Sequence, residues 1–223
     1  MSFLSHTLEG SALPDMAALA ITGDSVTVAV NGCSAWVNQA VHGDGHWEAL
    51  EPSLELIAAR RAAGTVQDFR LAVRVTVDNF HELPALARLA EQLGADALVL
   101  DLATAEIAEP AHPLHLAMRE TLRHPRLRTP LIQGDTIDAA TPLPSDSLDR
   151  HCTREQLAAA IAGAAPSAET RAALCAAGRI RFPDDLSLLQ IEAQALYELG
   201  LPQPARFRLF DCVAAGGEAI AIA

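Results

Sequence analysis

FRLAVRVTVDNFHELPALARLAEQLGADALVLDL, residues 69–102, holds a strand, a helix and a second strand in one stretch. Phe69 to Val77 alternates with period two. Leu71, Val73, Val75 and Val77 share one face; Ala72, Arg74 and Thr76 share the other. Asn79 followed three residues later by Glu82 predicts a capping box, with His81 inside it and facing solvent. The predicted helix runs to about Leu93 on a stripe of Leu83, Leu86, Leu89, Ala90 and Leu93, and Gly94 closes it. ALVLDL, Ala97 to Leu102, is the next strand.

Upstream, SVTVAVN (Ser25 to Asn31) alternates in the same way, with Val26, Val28 and Val30 on one face, and Asn31-Gly32 breaks it. After the segment CSAWVNQAVHGDGH comes a helix from Trp47 to Ala63, striped by Leu50, Leu54, Ile57 and Ala58 and stopped by Gly64. Strands separated by helices of crossover length predict parallel pairing with right-handed connections. The fold class expected is therefore α/β, as a partial, half TIM-like barrel or an open parallel sheet with crossover helices.

Downstream the pattern loosens. A helix is expected over Leu114 to Arg123, and residues 125–150, rich in Pro, Asp, Ser and Thr, read as a long irregular connection. Alanine-rich helices follow near 153–164, 167–177 and 186–199. The terminal RFRLFDCVAAGGEAIAIA reads as a β-hairpin, strand 206–213 and strand 218–222 about Gly216-Gly217. The domain boundaries expected are 1–125 for the parallel βα part, 126–152 for a linker, and 153–223 for a helical segment with the hairpin packed on the first part.

Three stretches carry a family resemblance: VTVAVNG, then HGDGHWEALEPSLELIAARRAAG, then RLAVRVTVDNFHELPALARLAEQLGADALVL. Their order and spacing are similar to the later half of the barrel in radical SAM enzymes, particularly those with a SPASM-type extension. There a mid-barrel strand ends in a Ser-x-Asp-Gly-like signature, and a later strand leads into an Asn-x-x-Glu-Leu helix start. The match covers about Val26 to Asp101, less than half of the chain. The chain departs from the pattern at its chemistry. Ala29 and Asn31 stand at the Ser and Asp positions, and no CxxxCxxC run is present to hold a [4Fe–4S] cluster. The resemblance thus implies a related scaffold and does not carry over the activity.

Composition narrows the chemistry further. Half of the residues are hydrophobic, enough for a sizeable core. The formal charge is −12, which disfavours nucleic acid as a partner, because such binding draws on clustered cations. The nearest basic stretch, Arg119, Arg123, Arg126 and Arg128 beside His124, is expected as a solvated helix end. All sixteen basic residues are arginine, which leaves no lysine for a Schiff base or a P-loop. Cys33, Cys152, Cys175 and Cys212 form no CxxC pair, and Cys175 is expected in the core. No apolar run approaches the ~18 residues of a membrane span, and MSFLSHTLEG does not resemble a secretory signal, so the expectation is a cytoplasmic protein with no membrane association.

Ligands of parallel α/β sheets collect at the C-terminal strand ends. Asn31, Asp78 and Asp101 fall there, Thr27, Asn31, Arg74, Thr76 and Asp101 line the concave face, and Asn31, Arg74, Thr76 and Asp101 are the expected ligand-binding set. Arg74 in mid-strand would need a partner, and Asp101 on the next strand is the obvious one, either as a structural pair or as an anion clamp. His42-Gly-Asp-Gly-His46 reads as a plain turn, an anion site or a metal site. His112 and His115, spaced three apart, read as a helix start or a ligand pair. Asp101, His42 and His46 are the acid–base candidates should there be catalysis. No cofactor and no metal is expected. The functional expectation is a non-catalytic protein that binds a peptide, a small anion or a protein subunit, with a homodimer possible. The alternatives are an enzyme with repurposed acid–base chemistry, or half of a split radical SAM enzyme completed by a partner chain.

Overall fold

The computed structural model describes residues 5–8, 24–42, 47–101, 115–122, 131–133, 143–149 and 151–217. Five strands form one sheet: β1 (Ser5–Leu8), β2 (Asp24–Ala29), β3 (Val66–Arg74), β4 (Ala97–Asp101) and β5 (Leu131–Gln133). Every pairing is parallel, and the strand order is β1-β2-β3-β4-β5. This order has a physical consequence. Each crossover steps in the same direction, so right-handed connections all return over the same face of the sheet. A doubly wound sheet, by contrast, reverses its order and is covered on both faces.

Burial follows this winding. Val26 and Val28 of β2 with Val30 just after it, and Phe69, Leu71 and Val73 of β3 with Val75 just after it, are buried. Ser25, Thr27 and Ala29, and Arg70 and Ala72, are only half-buried, and Arg74 is exposed. Ala97 to Leu100 of β4 are buried on both faces. The connection from β2 to β3 contains α1 (Ala35–His42) and α2 (Trp47–Ala62). Leu50, Leu54 and Ile57 form the buried stripe of α2. Gly64 follows with φ +75°, a left-handed conformation that glycine adopts without a Cβ clash and that ends the helix.

The sheet is an open α/β sheet, as the periodicity predicts, but several details differ. β3 begins and ends three residues earlier than the alternation suggests. Its first residue pairs with Asp24 ahead of a register shift between Asp24 and Ser25. The ladder runs just past the strand end, where the Val75 amide donates to the Asp101 carbonyl at 2.8 Å. β1 has no counterpart in the sequence reading. The expected capping box is also not the way the next helix starts. Asn79 makes no side-chain cap; its carbonyl instead accepts from the Glu82 amide at 2.9 Å, closing a single 3-10 turn over Phe80–Glu82. α3 proper is Leu83–Gln92. Pro84 sits in its first turn, where a missing N–H is harmless.

The remaining helices are α4 (His115–Leu122), α5 (Arg154–Gly163), α6 (Ala168–Arg181), α7 (Leu186–Glu198) and α8 (Pro202–Ala214). The stretch expected to be irregular carries β5 and a 3-10 turn at Pro144–Ser147. The expected strand 206–213 is helical instead. RFRLF alternates locally, yet the buried set of α8 is Pro204, Ala205, Phe207, Arg208 and Cys212, a helical stripe. Pro202 begins that helix. The expected partner strand, 218–222, lies outside the described residues.

The chain forms two compact units. The first comprises residues 1–76, 86–103 and 125–135, and contains the sheet. The second comprises residues 77–85, 104–124 and 136–223, and is helical. Its core includes Cys152, Leu157, Ile161, Leu174, Cys175 and Leu188. Burial raises the Cys175 thiol pKa well above its usual value, so this thiol is an inert core residue, as expected. Gly178 of α6 allows close approach: a Cβ there would meet the Leu157 side chain at 2.6 Å and the Leu188 side chain at 3.0 Å. The helix starts are capped locally by Thr153, Ser167 and Asp185.

Candidate functional site

The C-terminal edge of the sheet is built by register. Arg74 and Asp101 are direct partners across β3 and β4, and Asp101 and Gln133 are partners across β4 and β5. On the other side, the Asn31 side-chain oxygen accepts from the Arg74 amide at 2.8 Å, one step beyond the bond from the Val30 amide to the Ala72 carbonyl. Asn31 is buried. Its carboxamide therefore replaces a backbone carbonyl where β2 has stopped, and fixes the end of β3. This is a structural task for the Asn31 side-chain oxygen.

Arg74 and Asp101 are both exposed, each as the last residue of its strand. The premise of a buried arginine in mid-strand needing a carboxylate is thus corrected. The two charged residues are register neighbours at exposed strand ends. Thr76 and Asp78 follow half-buried in the connection after β3. The acid–base candidates are not all in view. His42 is the last residue of α1, and His46 and the intervening glycine loop lie outside the described residues, as does His112. Among the described residues no three His, Cys, Asp or Glu side chains gather as a metal site, and no helix is long and apolar enough to cross a membrane.

A second polar constellation, absent from the sequence reading, lies inside the helical unit. His81, expected in solvent, is 1 % exposed. Its ring stacks on Phe207 at 5.8 Å and meets the edge of Phe80 at 5.5 Å. Its neighbour Glu82 accepts from Arg208 Nη2 at 3.2 Å, and the same nitrogen lies 2.6 Å from Asp211 Oδ2. From α6, Arg179 Nη1 donates to Glu192 Oε2 on α7 and to the His81 carbonyl, both at 2.9 Å. Arg208 is fully buried, and Glu82, Arg179 and Glu192 nearly so. Burial raises the Asp211 carboxyl pKa above its usual range, with the Arg208 charge opposing.

One signal for this cluster is present in the chain. Glu192 lies four residues from both Leu188 and Leu196, and Arg208 four from both Pro204 and Cys212, all buried. A charge set into an apolar helical stripe predicts a buried ion pair, provided the helix itself is recognised. Reading 206–213 as a strand hid this for Arg208. The basic stretch is corrected as well: Arg119 is buried on α4 rather than solvated, and Arg123, Arg126 and Arg128 lie outside the described residues. On the same helix Glu120 accepts from the Ser145 amide at 2.7 Å and from the Ser145 hydroxyl.

No family model, curated protein or solved structure matches this chain.

Proposed function

We propose that this chain is a binding protein without chemistry of its own, using a radical-SAM-like half-barrel scaffold to hold a carboxylate-bearing ligand, a small organic acid or a peptide end, at the C-terminal edge of its sheet. The observation that carries this reading is the exposed Arg74–Asp101 pair at adjacent parallel strand ends. A guanidinium presents a planar fork that matches a carboxylate. Asp101 beside it accepts from an amide or ammonium group of the same ligand. The Asn31 bond to the Arg74 amide fixes the backbone from which the guanidinium extends. The strand order agrees with the scaffold reading, because sequential parallel strands with same-sense crossovers are how a βα barrel is wound.

Amide resonances followed by NMR during titration with succinate, and separately with trialanine, test this. Shifts should centre on residues 31, 74, 76 and 101 and vanish in Arg74→Ala, whose spectrum otherwise stays folded. Shifts elsewhere, or shifts that survive in Arg74→Ala, would remove the sheet edge from consideration.

A further inference from the structure

His81 is held in a way that admits only one protonation state. The imidazole is buried between the ring of Phe207 and the edge of Phe80. Neither Nδ1 nor Nε2 has a hydrogen-bond partner among the described residues. The charged groups around it come from several elements: Glu82 on its own turn, Arg179 from α6, Glu192 from α7, and Arg208 and Asp211 from α8. All three carboxylates are engaged by the two arginines, Glu82 and Asp211 by Arg208 and Glu192 by Arg179. A second proton, which makes the imidazole a cation, would therefore be buried without an acceptor and beside two guanidinium groups.

We propose that His81 is a proton-operated latch: neutral, it seals the 3-10 turn Phe80–Glu82 against α6 and α8, and protonated in mild acid, it drives that turn out and loosens the helical unit. The Arg179 bond to the His81 carbonyl and the Arg208 bond to Glu82 are the contacts that open with it. Burial, then the charges of Arg208 and Arg179, pull the imidazole pKa well below its ordinary value in the folded chain.

The direction of the pH effect follows. The unfolded chain binds the His81 proton near pH ~6.5, whereas the folded chain refuses it until lower pH. Stability is thus full above that pH and falls on acidification, by up to about tenfold in the unfolding constant per pH unit for this one proton. Asp211 acts in the opposite sense, because its raised folded pKa lets the folded chain take up its proton first as the pH drops. That contribution is common to the wild type and to a His81 variant, so it largely cancels in their difference.

The test uses the full chain and two variants, His81→Phe and His81→Leu, in urea titrations from pH 7.5 to pH 5. Between pH 6.5 and pH 5 the wild-type unfolding constant should rise by up to about tenfold per unit more steeply than in either variant. Equal slopes would overturn the latch. Should neither variant fold, histidine ring resonances of the wild type decide. A histidine among the eight that stays neutral until the helical signals change supports the latch. If all those resonances titrate near pH 6.5 with the helical signals intact, the latch is overturned.

Discussion

The helical unit buries ion pairs of a kind that the described residues of the sheet unit do not show, beside surface pairs of its own at Arg154–Asp185 and Arg171–Glu198. In the sheet unit, Arg74 and Asp101 lie exposed at strand ends, and the Arg61–Asp96 and Arg70–Asp68 pairs keep a quarter or more of each side chain in solvent. In the helical unit, Arg208 and Glu82 are 0 % and 2 % exposed at the side chain, and Arg179 and Glu192 10 % and 3 %. The difference follows from geometry. Side chains alternate across a strand, so one face can stay polar while the other is buried, and the strand ends open to water. A helix covered by several neighbours leaves little outward face, so a charge within its apolar stripe must find its counter-charge inside. Such a pair is weak evidence for stability as a unit, but breaking it leaves an uncompensated buried charge.

This contrast can be broken by substitution. Arg208→Met removes a buried cation that pairs with both Glu82 and Asp211 and should have the largest effect, a destabilisation of ~3–5 kcal/mol by urea denaturation at pH 7.5. Asp96→Ala in the sheet unit should follow. It releases the Arg61 fork, held at 2.6 Å and 2.8 Å, and leaves the Phe69 amide without its side-chain acceptor. A loss of about 1–3 kcal/mol is expected by the same measurement. Asn31→Ala should be the mildest, about 1 kcal/mol, since it removes the hydrogen bond to the Arg74 amide at the end of the ladder and buries no charge. Hydrogen exchange at the Arg74 amide should accelerate in that variant. If Arg208→Met proved no more disruptive than Asn31→Ala, the buried network would not differ in kind from the sheet-edge contacts.

Legibility in the sequence was just as uneven. The period-two runs at 25–31 and 69–77 map onto β2 and β3 because burial on one side imposes that spacing, whereas 97–102 maps onto β4 as a short apolar run buried on both faces. The short outer strands β1 and β5, of four and three residues, carry too few positions for any period to show. Asn31 lay at the expected edge, but its bond to a backbone amide could not be foreseen, since it depends on where β2 stops relative to β3. His81 and Glu82 had a complete local explanation as parts of a capping box. The helix proper starts at Leu83, and Arg208, 126 residues away, bonds the glutamate. Local signals cannot register a competitor that distant.

Local sequence alone determined the parallel strands and their buried valine and leucine faces, the places where most helices begin and end, and the absence of a three-cysteine cluster run, because each is set by spacing along a few neighbouring residues. Only the tertiary structure decided the sequential strand order, the helical state of residues 206–213 and the enclosure of His81 between α6 and α8. Each of these turns on partners far along the chain, whose burial and charge outweigh the local preference.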